Sequence, residues 1–366
     1  MPAPLKGIVV ADFTTLLPGP LATLMLADAG AEVVKIERPG GEEGRRFLPH
    51  VNGMSAPFVV LNRGKQGLIA DLKTEDGKAK AMALVERADV LVEQFRPGVM
   101  ERLGFGYETL KTKNPRLIYC SITGYGQTGP RRDEAGHDIN YIGATGLLSL
   151  SPGPGNRPTV PPALIADIGG GTFPAVINIL LALIAREKTG KGSYIDIAMS
   201  DAMFTFSWLA LAARWAAGKP VDPAMLRHFG GSPRYHIYPT AGGKLVACGA
   251  LEQKFWDAFC AAINLPEEFA DDKRDPATTI DAVRTIIIGE TAEHWRPIFA
   301  KADCCVTIVS TIEEALNDPH FIERGLFGRN ISMPDGSTFP AVPLPIAGEF
   351  RTEEKSRPFP GLPEKS

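Results

Sequence analysis

The start of the chain alternates between strand-forming and helix-forming segments, and this alternation limits the possible folds more than any other feature. GIVVADF at 7–13 is an apolar, β-rich run, PLATLMLADAG at 20–30 has helical spacing and ends at a glycine, and AEVVKIE at 31–37 is a second strand. Strands joined through a helix in this way form a β-α-β unit. The pattern predicts a parallel sheet.

The same alternation continues to about residue 125. It runs through a strand in GLIADL (67–72), a helix in EDGKAKAMALVERA (75–88), a strand in DVLVEQF (89–95), a short helix in GVMERLG (98–104) and a strand in RLIYCSITGYG (116–126). The expected fold class is therefore α/β, with a Rossmann-like sheet covered by helices on both faces. The first turn, TTLLPGPLAT, lacks the G-x-G-x-x-G spacing that a dinucleotide needs, so the sequence does not predict an NAD site.

The length of 366 residues predicts two domains, because one hydrophobic core rarely serves more than ~250 to 300 residues. We expect a large domain over 1–195, to which 330–366 returns, and a linker helix within 196–224. A smaller α/β domain is expected over 225–329, with a hairpin around Gly242 and Gly243 and three helices at 252–263, 277–288 and 291–301. Long helices are predicted at 173–187 and 200–217.

Composition and charge argue against several classes of protein. The net charge is -3, and no basic cluster with interleaved aromatics predicts a nucleic-acid partner. The longest apolar runs, 175–185 and 202–217, are shorter than the ~20 residues of a bilayer span, so no membrane span is expected. The start of the chain lacks the pattern of a signal peptide, and the five cysteines form no C-x-x-C pair. We expect a cytoplasmic, metal-free protein without a disulfide framework.

Basic residues follow several predicted strands of the first domain. Open parallel sheets bind ligands at the carboxyl ends of their strands, and the planar arginine fork suits phosphate. These residues could together hold an anionic ligand, or they could form a solvated rim paired with Asp and Glu. The set includes Arg38, Lys65, Arg96 and Arg102.

Two neighbouring residues in AGHDINYIGATG (135–146) could take part in proton transfer. Asp138 is a good N-cap for a helix from Ile139 to about Leu148, and that role alone explains it. His137 lies just outside this helix and is able to point into a cleft.

Two further carboxylates lie next to predicted helix starts. Asp167 precedes three glycines in IADIGGGTFP (165–174), which permit close approach of a ligand, and the helix dipole should hold its carboxylate ionised. Glu252 begins a helix after VACGAL (246–251) and is ordinary when taken singly.

Ordered motifs along nearly the whole chain resemble the class III CoA-transferase superfamily, and within it the α-methylacyl-CoA racemase branch. The motifs, in order, are LPGPLATLMLADAGAEVVKIERPGG, LNRGKQGLIADLK, FRPGVMERLG, ITGYGQTGP, GHDINY, PPALIADIGGG, GKGSYIDIAMSDA and GALEQKFW. The ordered set is far more specific than any one motif.

The resemblance implies a ligand and an assembly. Coenzyme A, as part of an acyl-CoA substrate and not as a prosthetic group, would contact Arg38, Lys65, Arg96 and Arg102. Tyr125 and Gly126 would lie near the pantetheine or the thioester. The superfamily also implies an interlocked homodimer, with each site between the large domain of one chain and the small domain of its partner.

The two branches of the superfamily differ in chemistry. In the transferase branch the aspartate matching Asp167 carries the acyl group as an anhydride, and no histidine occupies the GHD position. Here GHDINY and GALE are both intact, and the glycine-rich HFGGSP (228–233) is short, which is the racemase pattern.

The sequence therefore predicts an isomerase of fatty acid metabolism that racemises 2-methylacyl-CoA thioesters. His137 and Asp167 would exchange the α proton, one on each face. Glu252 would orient His137, and Asp138 would assist Asp167 unless it only caps its helix. The alternative is an acyl-CoA:carboxylate CoA-transferase with Asp167 as nucleophile.

Overall fold

A computed structural model describes residues 3–151, 153, 157–220, 222 and 226–362. Contacts divide the chain into two compact units. The first unit comprises Met1–Thr145, Pro161–Phe206 and Glu323–Ser366, and the second comprises Gly146–Val160 and Ser207–Ile322.

A six-stranded parallel sheet forms the centre of the first unit. Its strands are β1 (Val9–Asp12), β2 (Glu32–Glu37), β5 (Gln66–Ile69), β6 (Val90–Glu93), β7 (Ile118–Thr123) and β8 (Ser193–Ala198), and a hairpin of β3 (His50–Val51) and β4 (Met54–Ser55) lies outside it. The spatial order is β5-β2-β1-β6-β7-β8. Counted along the sheet strands this is 3-2-1-4-5-6, the order of Rossmann folds, so the predicted α/β parallel sheet is confirmed.

Among the described residues, eight helices of the first unit lie between these strands or follow the last of them. They are α1 (Pro18–Asp28), α2 (Ala56–Leu61), α3 (Glu75–Arg87), α4 (Val99–Leu103), α5 (Tyr107–Lys113), α6 (Asp138–Ala144), α7 (Phe173–Thr189) and α8 (Met203–Phe206). Helix α3 shows why such a segment is helical: the Thr74 hydroxyl accepts a hydrogen bond from the Gly77 N–H, acidic residues occupy the first turn and Arg87 the last.

The strand order reverses between β1 and β6, which pair in parallel through Val10–Val90 and Ala11–Leu91. A core of buried side chains covers one face of the sheet, and its members Leu91, Phe105 and Leu117 are at most 1% exposed. In open parallel sheets, ligands bind outside the carboxyl ends of the strands at such a reversal. The topology therefore directs attention to the loops after β1 and β6.

Residues 323–366 contribute a separate three-stranded sheet to the first unit. It consists of β12 (Asn330–Ser332), β13 (Thr338–Pro340) and β14 (Ser356–Arg357), with β12 in the middle. Arg357 donates a hydrogen bond to the Ala27 carbonyl at 2.9 Å, which fastens the end of the chain to α1.

The second unit, with bounds that differ from the predicted 225–329, combines a small antiparallel sheet with helices. An antiparallel sheet of β9 (His236–Pro239), β10 (Leu245–Cys248) and β11 (Val306–Ile308) packs with α10 (Gln253–Ala262), α11 (Pro276–Ile287) and α12 (Ala292–Ala302), and the unit also holds α9 (Trp208–Ala217), α13 (Ile312–Leu316) and most of α14 (Pro319–Glu323). The hairpin turns at Gly242 and Gly243, whose φ angles of 84° and 89° suit glycine.

Two expectations about helices need correction. The single helix predicted at 200–217 is two helices, α8 and α9, which meet at Ser207, where the two units also divide. The helix that includes α7 is longer than expected and runs from Ala166 to Thr189. This 24-residue helix contains an 18-residue window with a mean hydropathy of 1.9, enough to cross a bilayer by length and composition alone, but the helix packs against α1, β7 and β8.

Candidate active site

Two cavities lie at the carboxyl ends of the sheet strands, on either side of the reversal. The first cavity, of about 520 Å³, is lined by residues that follow β1, β2 and β5, including Arg38 and Lys73. The second cavity, of about 500 Å³, is lined by residues that follow β6, β7 and β8, including His137 and Asp167. Leu16 and Phe95 line both, so the two cavities share a wall.

His137 lies immediately before α6, and its side chain lines the second cavity. Its backbone N–H donates to Oδ1 of Asn140 at 2.9 Å, which fixes the start of the helix. The prediction that Asp138 is the N-cap is wrong, because the helix begins at Asp138 itself and His137 occupies the cap position. The exposed imidazole is thereby presented to the cavity by a fixed backbone.

Asp138 connects two segments that are 29 residues apart. Its carboxylate is buried, and Oδ2 accepts a hydrogen bond from the backbone N–H of Asp167 at 2.9 Å. The bond holds the Asp167 backbone against α6, so that both His137 and Asp167 face the second cavity. Asp138 thus assists Asp167 through its backbone.

The carboxyl group of Asp167 is half-buried, and its pKa is raised to about 6. Burial is the main cause and the neighbouring negative charge of Asp138 adds to it, while His137 acts in the opposite direction. Burial thus outweighs any stabilisation of the ionised form by the helix dipole, although the carboxyl group stays mostly ionised at neutral pH. An acid with a pKa near neutrality is suited to accept and return a proton.

Asp167 lies in a π-helical segment, Ala166–Thr172, that continues directly into α7. π-Helical turns are rare and occur often at functional sites. The sequence suggested that the three glycines of this segment permit close approach of a ligand, but protein atoms occupy the space beside them. A Cβ at Gly170 would lie 2.2 Å from the Met199 carbonyl oxygen, and one at Gly169 would lie 2.6 Å from the Phe206 ring. The glycines allow the segments that carry Met199 and Phe206 to pack closely against this helix, and this close packing holds Asp167 in place.

The loop after β7 carries the predicted residues Tyr125 and Gly126. The Tyr125 ring meets the ring of Tyr141 edge-on, with the centroids 5.2 Å apart. Gly126 has a φ of 82°, which favours glycine, and both oxygens of Asp196 accept from the next N–H, that of Gln127, at 3.0 and 3.1 Å. Neither Tyr125 nor Gly126 lines the second cavity, although Gly124 beside them does.

The four predicted basic residues occupy different environments. Arg38 is exposed at the first cavity and donates to the Gly41 carbonyl at 3.2 Å, and the exposed Arg96 lines the second cavity. Arg102 is exposed on α4 and lines neither cavity. The structure brings Arg38 and Arg96 to the cavities, where each could meet an anionic group.

The expectation that Lys65 contacts coenzyme A needs correction, because Lys65 does not line either cavity. Its side chain is fully buried, and the amine donates to Asp12, to Asn62 and to the Pro20 carbonyl at 2.8 to 3.1 Å. Burial lowers the pKa of Lys65 to about 8 against the opposing effect of Asp12. Burial alone would raise the pKa of Asp12, but Lys65 and Lys35 outweigh it and lower that pKa to about 2. Lys65 is thus part of an internal ion pair.

Glu252 occupies the N-cap position of α10 in the second unit, with an exposed side chain. Its expected partnership with His137 stays a prediction. Among the residues that the structure describes, no group of three or more His, Cys, Asp or Glu side chains is placed to hold a metal ion.

Sequence reasoning missed several residues that line the second cavity, including Gln94, Asn140 and Arg132. Gln94 follows β6 directly, so the rule that ligands bind at strand ends could have found it. It also missed Glu93, a buried carboxyl at the end of β6 whose pKa is raised to about 7, mainly by burial. Nothing in the local sequence distinguishes Glu93 from an exposed glutamate.

Comparisons with known proteins identify similar enzymes of two kinds. The chain is 37% identical over 332 residues to the human α-methylacyl-CoA racemase, which covers 88% of this chain and 82% of that protein. It is 35% identical over 371 residues to the acetyl-CoA:oxalate CoA-transferase of Acetobacter aceti, covering 99% and 92% respectively.

A solved structure of a CAIB/BAIF family protein from Brucella suis superposes with a TM-score of 0.84 and 31% identity, over 99% of this chain and 97% of that one. The sequence model described as CoA-transferase family III matches residues 5–365. The relatives include both racemases and CoA-transferases of similar likeness. Across almost its entire length, this chain belongs to CoA-transferase family III, whose members act on CoA thioesters.

Proposed function

We propose that the protein racemises or epimerises 2-methylacyl-CoA thioesters by removing and returning the proton at the α carbon. The observation that carries this proposal is that His137 and Asp167, on different segments, line one cavity, with the pKa of Asp167 raised to about 6. A proton α to a thioester is weakly acidic, so removing it requires a base held close to the carbon. Inversion requires a second group that delivers a proton to the opposite face.

His137 and Asp167 would divide these two roles. For one epimer the ionised Asp167 takes the α proton and protonated His137 donates to the other face, and for the other epimer the roles exchange. An ionised aspartate with a pKa of about 6 is a stronger base than one with the ordinary value of 3.8, yet it is still mostly ionised at neutral pH. Glu252 is proposed to orient His137, which is the prediction taken from the sequence.

The two cavities suggest how a CoA thioester would lie. Arg38 and Lys73 line the first cavity and offer positive charge to phosphate groups, while the acyl end would reach His137 and Asp167 in the second cavity. Apolar side chains of the second cavity, such as Leu17, Ile122 and Met199, suit a branched acyl group. Arg96 could bind a phosphate or the carbonyl end of the pantetheine.

We further propose an interlocked homodimer, as the resemblance implies. On α7, the side chains of Ile177, Leu181 and Ile184 are 56%, 58% and 60% exposed and lie on one helical face. Trp208 and Trp215 on α9 are 66% and 74% exposed. Apolar side chains exposed in this number are typical of surfaces that a second subunit covers. We also propose that the protein is cytoplasmic and acts in fatty acid metabolism.

A CoA-transferase is the second candidate, because transferase relatives are as similar to this chain as the racemases are. In that reaction the Asp167 carboxylate would attack the thioester carbonyl, releasing CoA thiolate and forming an acyl anhydride. The thiolate would then attack the Asp167 carbonyl of this anhydride, releasing the donor carboxylate and leaving Asp167 as a CoA thioester. An acceptor carboxylate would attack that thioester to form a second anhydride with Asp167, and the thiolate released would take the acceptor acyl group as its CoA thioester and free Asp167. His137 at the cavity favours the racemase, because that reaction needs a second proton carrier.

The decisive experiment incubates one epimer of a 2-methylacyl-CoA in deuterated water without any acceptor acid. Deuterium incorporation at the α carbon together with epimerisation supports the racemase. Absence of exchange, combined with CoA transfer to an added carboxylate and hydroxylamine trapping at Asp167, refutes it in favour of the transferase.

The variant His137→Gln tests the division of roles. We expect it to abolish epimerisation but to preserve deuterium exchange for the epimer whose proton faces Asp167. Equal loss of exchange for both epimers would contradict the two-base assignment.

A further inference from the structure

Leu16, in the turn between β1 and α1, has a backbone conformation that its side chain disfavours. Its φ angle is 63°, in the left-handed region, where branched residues are rare. Neither neighbour is a glycine that could relieve the turn. Such a conformation persists only when the surrounding structure enforces it, and it is found disproportionately at functional sites.

The position of Leu16 makes this conformation consequential. The turn follows β1 at the strand-order reversal, and Leu16 belongs to the wall that the first and second cavities share. A ligand that occupies both cavities must pass this wall. If the turn relaxed to an ordinary conformation, the boundary of both cavities would change together.

A buried charged pair holds the turn from one side. The backbone N–H of Leu16 donates to Oε2 of Glu42 at 2.9 Å, and Oε1 of Glu42 lies 3.0 Å from the amine of Lys35. The same amine donates to the Thr14 carbonyl at 2.8 Å. The Lys35 side chain is fully buried and that of Glu42 is 4% exposed. The Thr14 carbonyl and the Leu16 N–H, on either side of Thr15, are therefore both bound to the Lys35–Glu42 ion pair.

We propose that Glu42, with Lys35, is a positioning residue that holds the Leu16 turn in the strained conformation required to bind a CoA thioester across both cavities. This inference rests on the proposed function for its ligand. Without the acceptor on Glu42, the turn would relax in most molecules. Only the minor form, in which the turn keeps its strained conformation, would then bind the ligand. The apparent affinity would equal the intrinsic affinity multiplied by the fraction of molecules in that form.

A single substitution of Glu42 would leave the Lys35 charge buried without a partner and could unfold the chain. Two charge-neutral double variants avoid this. Lys35→Met/Glu42→Gln keeps an oxygen that can accept from the Leu16 N–H, whereas Lys35→Met/Glu42→Leu removes it. The two double variants thus differ in the hydrogen bond to the Leu16 N–H and not in buried charge.

The experiment measures CoA binding by calorimetry, and unfolding in urea, for both variants of the full-length protein. We expect the Glu42→Leu variant to bind CoA about tenfold more weakly than the Glu42→Gln variant. Adding Leu16→Gly to the weaker variant should restore most of this affinity, because glycine adopts a positive φ without strain. Adding Leu16→Ala, which shortens the side chain but keeps the Cβ, should not restore it.

Equal CoA affinity of the two double variants overturns the inference, even if their stabilities in urea differ, because the pair then serves only the fold. Equal rescue by Leu16→Gly and Leu16→Ala also overturns it, because side-chain size and not strain would be responsible. A wild-type protein that binds no CoA refutes the proposed function and the inference with it.

Discussion

The first unit contains two groups of charged residues near the ends of its strands, and they differ in burial and in pairing. Beneath the first β-α turn, the side chains of Asp12, Lys35 and Lys65 are fully buried, and each has an opposite charge within 3.1 Å. At the second cavity, His137 is exposed and Asp167 is half-buried with only a carboxylate, Asp138, bound to its backbone. Despite burial, the neighbouring amines lower the pKa of Asp12 to about 2, whereas burial, with a smaller effect of Asp138, raises that of Asp167 to about 6.

The difference separates charges that maintain the fold from charges that can react. A carboxylate paired with two buried amines is fixed in its ionised form and is a poor proton carrier. A carboxyl group that is partly removed from water beside another carboxylate can change its protonation state near neutral pH. The following predictions test this contrast.

The largest expected effect is on the reaction. Asp167→Asn should lower α-proton exchange by about 10³-fold for the epimer whose proton faces Asp167, because an amide cannot accept the proton. Asp196→Asn is a matched control, since Asp196 also lies at the end of the sheet but binds only the Gln127 backbone. Deuterium incorporation into an acyl-CoA measures both. A similar loss in the two variants would show that general disturbance, and not proton transfer, explains the result.

A large effect on stability is expected in the buried group. Lys65→Met leaves Asp12 without the positive charge that pairs with it directly and should lower the free energy of unfolding by ~3 to 5 kcal/mol. Arg96→Met, at an exposed arginine, should change it by less than ~0.5 kcal/mol but should weaken CoA binding. Urea unfolding and CoA titration test the two together. A stable Lys65→Met protein with impaired CoA binding would restore Lys65 as a ligand contact.

A smaller effect is expected on pH dependence. Asp138→Asn removes the negative charge that helps raise the pKa of Asp167, while keeping an oxygen that can accept from the Asp167 N–H. The pH at which the reaction loses half its rate in acid should move downward by less than about one unit, because burial is the larger cause. The pH profile of kcat/KM for the epimer that Asp167 deprotonates measures this. An upward shift would contradict the assigned cause.

The smallest expected effect is on the stability of the Asp167 site itself. Because its pKa in the folded protein, about 6, lies above the ordinary 3.8, the ionised group reduces stability as the pH rises through 6. Asp167→Asn should therefore stabilise the protein by about 1 kcal/mol at pH 8, a figure reduced for partial exposure. The gain should disappear below about pH 4. Urea unfolding at both pH values tests this, and a gain that is larger in acid would reverse the sign.

The parallel sheet was predictable from sequence because strand and helix periodicity are local properties, visible within segments such as GIVVADF and AEVVKIE. The environments of Lys65 and Arg96 were not predictable, because only long-range packing buries Lys65, just before β5, and leaves Arg96, after β6, exposed. Asp138 was mistaken for an N-cap because its hydrogen-bond partner lies 29 residues away. Nothing in the sequence indicated the positive φ of Leu16, because leucine is not a residue that is typical of this conformation.

The π-helical segment Ala166–Thr172 has a consequence for how this chain can vary in length. Each residue of an α-helix turns the chain by about 100°, and a π-helical turn accommodates one residue more than an α-helical turn. Removing one of Gly169, Gly170 and Gly171 would allow the segment to continue α7 as an ordinary helix, but it would swing Asp167 about a quarter of a turn around the axis. A deletion that leaves the helix intact would thus take the carboxylate away from the cavity, so this stretch should tolerate no change in residue count.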